Sequence, residues 1–164
     1  PLLTDQGFSL EFATSVLMVL MVFGAFGRIF GGILGDRIGA LPGYILMSLG
    51  QTIFVIWFPD LISPTTIYVM AALFGFTYSG VMSSILVCTR MMVPANYGAR
   101  AMSLTSFFGW IGMGLGGFLG GYFFDIYGNY NWAFTFAGLS GVINLIILLF
   151  FFLYIRRAER LVLN

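Results

Sequence analysis

Long apolar stretches alternate with short polar segments along the chain. The apolar residues are concentrated in five runs, at about residues 13–35, 41–58, 66–89, 101–124 and 132–155. Apolar runs of about 18 residues or more are typical of membrane-spanning helices, because roughly 20 residues at 1.5 Å each cross the hydrocarbon core of a bilayer. The runs are continuous and do not alternate strictly, which argues against a transmembrane β-barrel. The sequence therefore predicts an all-α integral membrane protein with five transmembrane helices.

The segments between the apolar runs are short and rich in turn-forming residues. They read DRIGALPG, PDLISP, RMMVPANYGAR and DIYGNYN. Proline, glycine, aspartate and asparagine end helices and form tight turns. Short connections make consecutive helices antiparallel neighbours, so the sequence predicts one compact bundle over residues 1–164 and no separate domains.

Composition narrows the possible functions. The chain is 60% hydrophobic and 8% charged, whereas a soluble domain is typically about one quarter charged. Histidine is absent and Cys88 is the single cysteine, so neither a disulfide framework nor a metal cluster is expected. No catalytic pair of side chains is visible at membrane depth, which argues against an intramembrane enzyme. We expect no enzymatic activity, no cofactor, no bound metal and no nucleic-acid partner.

The charged residues divide between the two ends of the predicted bundle. All seven cationic residues are arginines. With alternating helix directions, one end receives Arg37, Arg90, Arg100, Arg156, Arg157 and Arg160, and the other receives Asp5, Glu11, Asp60 and Asp125. Because cytoplasmic loops carry an excess of positive residues, we expect a multi-pass protein of the cell (inner) membrane with a cytoplasmic carboxyl terminus.

The start of the chain suggests that something precedes it. The first residue is Pro1, and nothing before Ala13 resembles a signal peptide with a basic beginning. An amino terminus on the outside needs a preceding segment to carry it across the membrane. We therefore expect an upstream part of the protein that includes at least one more span.

One loop carries a family motif. The segment GGILGDRIGALPG resembles the loop motif of the major facilitator superfamily, in which a glycine and three further residues precede Asp-Arg-x-Gly at a cytoplasmic turn. The matching positions are Gly32, Asp36, Arg37 and Gly39. The basic residues that usually follow are absent, as in the weaker copy of the motif in the carboxyl half of these transporters. From about Ser9 to Arg157 the chain is similar to this superfamily, and most of all to its monocarboxylate and oxalate transporter branch.

This resemblance implies that the five spans are helices eight to twelve of a twelve-helix major facilitator fold. Residues 1–164 would then be a partial carboxyl-terminal six-helix bundle that lacks its first helix. The lipid bilayer and the missing amino-terminal half of the same protein would be its partners. The resemblance also implies alternating access, in which two bundles rock around a central site.

Two interpretations of the motif stay open. Asp36 and Arg37 could simply cap a helix end at the membrane boundary, where snorkelling arginines are common. Gly39 would supply the permissive backbone that ends the first helix. The resemblance implies instead a cytoplasmic gate in which Arg37 joins a charge network. Arg90 is the best candidate partner, because it ends the third span on the same side.

Two glycine ladders have the four-residue spacing that lets helices approach closely in lipid. They consist of Gly27, Gly31 and Gly35 in the first span and of Gly112, Gly116 and Gly120 in the fourth. We interpret both mainly as packing faces. The alternative is that they slide against the missing half during transport.

Several polar and aromatic residues lie well inside the spans. Core packing is the ordinary explanation for Tyr78 and Trp110. The resemblance implies pocket lining instead, since the third and fourth spans match helices that face the central cavity. Gln51 and Asn144 belong to spans that match outer helices, and we interpret them as interhelical hydrogen-bonding groups.

Arg28 is a permanent charge within an apolar run. It lies eight residues before Asp36, or about 12 Å at 1.5 Å per residue, close to the midplane of a hydrocarbon core about 30 Å thick. An arginine there costs at least ~2.5 kcal/mol to insert, so it should face a cavity or a partner. No carboxylate of the five spans lies at that depth, and Ser83 and Trp110 come closest to its level. We predict a substrate site of Arg28, Tyr78, Ser83 and Trp110, in which Arg28 binds the anionic group of a small organic solute.

The resembled monocarboxylate transporters carry a substrate-binding arginine at the matching position. Their acid one turn earlier is replaced by Gly24, which puts proton coupling through that pair in doubt. The lysine of the oxalate carriers on the fourth matching span is absent, so a clamp of two cations is not expected. A structural ion pair between Arg28 and an acid of the missing half is the alternative.

The sequence favours a secondary active transporter of a small organic anion such as a monocarboxylate. One alternative is a facilitator-type carrier of a neutral or cationic solute, with Arg28 in a structural role. Another is a channel or a non-transporting membrane assembly subunit. The identity of the solute, a proton as its co-substrate and the direction of transport stay open.

Overall fold

The computed structural model describes residues 2–162, with side chains described for residues 2–157. Its helices are α1 (Leu2–Asp5), α2 (Leu10–Ile38), α3 (Ala40–Ile56), α4 (Pro64–Met92), α5 (Gly98–Tyr127) and α6 (Asn131–Val162). The described range contains no strand, and α2 to α6 are long and apolar enough to cross a membrane. The prediction of an all-α membrane fold with five spans is therefore confirmed. Arg160, one of the arginines that indicate orientation, lies outside the described side chains.

Most helices extend beyond the predicted apolar runs by up to one turn. Asp36 and Arg37 lie inside the last turn of α2, and Arg90 lies in the last turn of α4. Charged residues can occupy the last turn of a membrane helix because their side chains reach the polar interface. We call this side of the bundle, where α2 ends, the Asp36 end. The four-residue helix α1 has no counterpart among the predicted apolar runs.

The corner between α2 and α3 consists of Gly39 alone. Its φ of 97° and ψ of 150° lie in a region that residues with a side chain rarely adopt. This confirms that Gly39 ends the first long helix. Just before the corner, Gly35 packs against Gly43 of α3, where an added Cβ would lie 3.2 Å from the Gly35 Cα. Glycine at these positions lets two helices meet with a single residue between them.

α2 and α4 pack with their backbones in contact. A Cβ on Gly27 would overlap the carbonyl oxygen of Phe76, and one on Gly31 would lie 2.9 Å from the carbonyl oxygen of Gly80. A larger residue at either position would therefore force the two helices apart. The packing predicted for the first glycine ladder is confirmed at these positions. Residue numbers rise together along the contact, so α2 and α4 run in the same direction.

The second glycine ladder behaves differently. A Cβ on Gly112, Gly116 or Gly120 would meet no atom of the described residues within 4 Å. No residue of the apolar part of α5 is buried. The prediction that these glycines form a packing face is therefore wrong for contacts within this chain, because no described helix covers that side of α5. The alternative, sliding against another part of the protein, stays a prediction.

A polar contact links α3 to α6 inside the bundle. The Tyr44 hydroxyl donates to Asn144 Oδ1 at 3.5 Å, and Asn144 Nδ2 donates to Ser48 Oγ at 3.4 Å. The geometry thus fits the interhelical role predicted for Asn144, although both hydrogen bonds are long. Gln51 makes no hydrogen bond in the described part of the chain. Its side chain instead lines a cavity of ≈ 260 Å³ between α3, α4 and α6, so the prediction for Gln51 is wrong.

At the end of the bundle opposite to Asp36, two hydrogen bonds connect α1 and the residue that follows it to other segments. The Tyr130 hydroxyl, in the turn between α5 and α6, donates to Asp5 Oδ2 at 2.7 Å. Gln6 Nε2 donates to the Pro59 carbonyl oxygen at 3.1 Å. Burial, the hydrogen bond to Asp5 and the charges of Asp5 and Asp125 raise the pKa of Tyr130 to about 12. The phenol therefore stays protonated, and able to donate, over the physiological pH range.

Candidate binding site

A cavity of ≈ 370 Å³ lies between α2, α4 and α5. The predicted site residues Arg28, Tyr78, Ser83 and Trp110 all line it. The other lining residues are Met82, Ile85, Leu86, Thr105, Ser106, Gly109 and Met113. The structure thus brings the four predicted residues together around one space. Their role in binding a substrate stays a prediction.

Close packing of α2 on α4 puts Arg28 at this cavity. The preceding residue, Gly27, rests against the backbone of Phe76, so Arg28 leaves α2 beside the part of α4 that carries Tyr78. Arg28 and Tyr78 line the same cavity. Arg28 is exposed, and no hydrogen bond or ion pair within the described residues engages it.

The unpaired charge lies deep along the helix. α2 is continuous from Leu10 to Ile38, so the separation of about 12 Å between the levels of Arg28 and Asp36 follows directly from the helical rise. Among the residues that line the cavity, Arg28 is the one charged side chain. A permanent cation without a carboxylate partner gives this space a positive potential, which favours an anion.

The two aromatic side chains have different environments. Tyr78 is partly buried and stacks on Phe74, with ring centroids 5.6 Å apart. Trp110 is 73% exposed, and no ring contact within the described residues includes it. Core packing as the explanation of Trp110 is therefore wrong within this chain. Tyr78 combines packing on its own helix with a place in the cavity wall.

Hydroxyl groups form another part of the wall. Ser83 Oγ donates weakly to the Ser79 carbonyl oxygen at 3.4 Å, which leaves its lone pairs free to accept. The Thr105 and Thr89 hydroxyls lie 3.3 Å apart and join α5 to α4. Thr105 and its neighbour Ser106 also line the cavity and were not among the predicted site residues. The spacing of Ser106, Gly109, Trp110 and Met113 along one helical face could have indicated that Ser106 shares the surface of Trp110.

The family motif lies apart from the cavity, at the Asp36 end. Asp36, Arg37 and Arg90 are all exposed. No ion pair joins them within the described side chains, so the charge network expected with Arg90 is not formed in this structure. Within the described part of the chain, a Cβ on Gly32 would meet nothing within 4 Å, which indicates open space beside the motif. The gating role of these residues stays a prediction.

The chain is similar to known proteins over most of its length. A family model described as Major Facilitator Superfamily matches residues 1–163. The riboflavin transporter MCH5 of Saccharomyces cerevisiae is 36% identical over 87 residues, which cover 52% of this chain and 17% of that protein. No solved structure matches the chain. The family match over nearly the whole chain, together with the five membrane-spanning helices, shows that the chain belongs to the Major Facilitator Superfamily.

Proposed function

We propose that the chain is the carboxyl-terminal part of a secondary active transporter, which carries a small organic anion across a membrane by alternating access. Membership of a transporter superfamily supports the general activity. The observation that carries the choice of an anion is Arg28, an unpaired cation in a cavity at membrane depth. A monocarboxylate is the simplest solute of this class.

The guanidinium of Arg28 would hold the carboxylate by two parallel hydrogen bonds of about 2.7–2.9 Å. Without substrate the cavity keeps a net positive charge, which is costly to enclose away from water. A bound carboxylate neutralises that charge. The loaded carrier can therefore close at a lower electrostatic cost than the empty one, which links substrate binding to the rocking motion.

Orientation and gating belong to the same proposal. The arginine-rich Asp36 end is cytoplasmic, as is the carboxyl terminus, and the protein resides in the cell membrane. Asp36, Arg37 and Arg90 are exposed here and form no ion pair with one another. In the opposite phase of the transport cycle, they come together as a charge network. An amino-terminal bundle, outside this chain, supplies the facing wall of the cavity.

The test uses the full-length protein reconstituted in liposomes, with uptake of radiolabelled monocarboxylates as the readout. Arg28→Lys keeps the charge but loses the planar fork, so the apparent KM should rise about tenfold or more. Arg28→Gln should abolish saturable uptake. Arg100→Gln is the matched control, since Arg100 is exposed near the start of α5 and does not line the cavity. Unchanged apparent KM values in both Arg28 variants would show that Arg28 is not the anion site.

The riboflavin transporter similarity favours a second candidate, which is transport of riboflavin or a related neutral solute with Arg28 in a structural role. The same liposomes separate the two candidates. Saturable uptake of radiolabelled riboflavin, with an apparent KM that Arg28→Gln leaves unchanged, would favour the second candidate over the first.

A further inference from the structure

The indole ring of Trp110 faces the cavity without a partner of its own. It is 73% exposed and stands beside a space whose cation, Arg28, is also unpaired. We propose that the transported anion is an aromatic carboxylate, whose carboxylate binds Arg28 while its ring stacks on Trp110. This inference rests on the proposed function, because it takes Arg28 as the anion site.

The size of the cavity fits a ring-bearing solute. Its volume of ≈ 370 Å³ falls in the range of roughly 300–1,000 Å³ that is typical of sites for drug-sized molecules. An anion the size of acetate, held at Arg28, would leave most of the apolar wall without contact. Burial of apolar and aromatic surface supplies much of the affinity in such pockets, so a larger solute uses this wall better.

The level of Arg28 along α4 follows from the contact between α2 and α4. Gly31 lies against Gly80. Because the two helices run in the same direction, Arg28, three residues before Gly31, is level with about Thr77 of α4. A second contact gives a different level. The carbonyl oxygen of Gly27 would lie 3.2 Å from a Cβ on Gly80, which places Arg28 up to four residues of α4 nearer the Asp36 end.

The level of Trp110 follows from the contact between α4 and α5. The Thr105 hydroxyl lies 3.3 Å from that of Thr89. α5 runs back along α4 after a short turn, so Trp110, five residues beyond Thr105, is level with about Ser84. Arg28 and Trp110 are therefore separated along the helices by about three to seven residues of α4, or roughly 5–10 Å at 1.5 Å per residue. A ligand that reaches both needs a short linker between its carboxylate and its ring.

The rest of the wall suits a planar ring. The thioethers of Met82 and Met113 line the cavity, and methionine sulfur makes favourable contacts with ring edges. Ile85 and Leu86 add aliphatic surface, while no acidic side chain of the described residues lines the cavity. Stacking on an exposed indole is specific for a π-system, because an aliphatic ring of equal size offers the apolar area without the aromatic quadrupole.

The experiment measures uptake by the full-length protein in liposomes with three radiolabelled anions. They are acetate, phenylpropanoate, and cyclohexylpropanoate as the saturated analogue of equal length. We expect phenylpropanoate to show the lowest apparent KM. Trp110→Leu should raise the apparent KM for phenylpropanoate about three- to tenfold, and should raise that for acetate by a smaller factor. Trp110→Phe should restore most of the phenylpropanoate affinity.

Phe118→Leu is the matched control, since Phe118 is a 68% exposed ring on the same helix that does not line the cavity. Retained acetate uptake shows that Trp110→Leu is folded. If acetate uptake is lost, two other measurements test the folding of Trp110→Leu. They are binding of radiolabelled acetate and elution as a single species in size-exclusion chromatography. Equal KM values for phenylpropanoate in wild type and Trp110→Leu would overturn the inference, as would equal affinity for the two ring analogues.

The Arg28 variants separate this inference from the proposed function. Loss of uptake of both acetate and phenylpropanoate in Arg28→Gln, with no effect of Trp110→Leu, overturns the ring inference alone. An unchanged apparent KM for every anion in Arg28→Gln overturns the proposed function, and with it the placement of the carboxylate at Arg28.

Discussion

Replacing Gly27 with alanine perturbs the contact that positions Arg28. The added Cβ would overlap the carbonyl oxygen of Phe76 and lie 2.7 Å from its carbonyl carbon. These are backbone atoms of a continuous helix, so they cannot rotate away as a side chain can. Either α2 and α4 separate locally, or α2 turns about its axis. In both cases the guanidinium of Arg28, on the next residue, moves relative to the cavity.

The expected magnitude follows from two opposing effects. Overpacking of a tight contact typically costs about 1–3 kcal/mol. Alanine regains up to about 1 kcal/mol of helix propensity relative to glycine. Because the overlap is with backbone atoms, the cost falls at the upper end of that range, about 2–3 kcal/mol, and the net loss in the free energy of unfolding is then about 1–2 kcal/mol. With roughly 2–4 °C per kcal/mol for a protein domain of 150–250 residues, Gly27→Ala should lower the Tm by about 2–8 °C.

The assay is thermal unfolding of the purified full-length protein in detergent, followed by size-exclusion chromatography of heated samples. Gly121→Ala on α5 is the control, because a Cβ there meets no atom within 4 Å and should leave the Tm unchanged or slightly raised. If Gly27→Ala has the same Tm as the wild-type protein, the close contact of α2 with α4 does not exist as described.

Two further predictions concern the ends of the bundle. In a Cys88→Ser background, a cysteine at Asp60 should react with an impermeant thiol reagent from outside the cell, and one at Ala40 should not; the opposite pattern would reverse the proposed orientation. The raised pKa of Tyr130 means that the folded state favours the protonated phenol, so the tether to Asp5 should be intact below pH 10 and lost as the pH rises through about 12. The hydrogen-exchange protection factor of residues 2–8, which is the exchange rate corrected for base catalysis, should fall over that pH range in wild type, whereas in Tyr130→Phe it should be low already below pH 10. A protection factor equal to that of wild type in Tyr130→Phe would show that the tether does not hold α1.

Two features of the fold could be predicted from the sequence, namely the five spans and the depth of residues along them. Both depend on the constant rise of an α-helix and on the apolar interior of the bilayer. A transmembrane helix has a length fixed by the bilayer, so the five spans were visible as apolar runs. Depth could be counted from the ends, since α2, α4 and α5 are continuous helices. This is why the levels of Arg28, Ser83 and Trp110 pointed to one cavity before the helices were placed in space.

The sequence could not show which helix packs against each helical face. The glycines at residues 27 and 112 have the same spacing signal, yet one touches a backbone and the other touches nothing described. A spacing pattern shows that close approach is possible and does not show which helix approaches. Gln51 and Asn144 likewise look equivalent along the chain, and both line the cavity between α3, α4 and α6. Asn144 also reaches hydrogen-bond partners on α3, whereas Gln51 reaches none among the described residues.

Thr105 and Ser106 were missed for a related reason. Hydroxyl side chains in a membrane helix usually bond back to their own backbone, as Ser103 Oγ does to the Ala99 carbonyl oxygen at 2.9 Å. A threonine or serine therefore carries little signal by itself. Only the register of α5, which aligns these residues with Trp110, distinguishes those that line the cavity.

The most direct test of the central claim is an experimental structure of the full-length protein with a saturating aromatic carboxylate such as phenylpropanoate. We predict that both carboxylate oxygens lie about 2.7–2.9 Å from the guanidinium nitrogens of Arg28, with the ring against Trp110. A structure in which the anion binds elsewhere, while Arg28 is paired with an acidic residue of another part of the protein, would contradict the account.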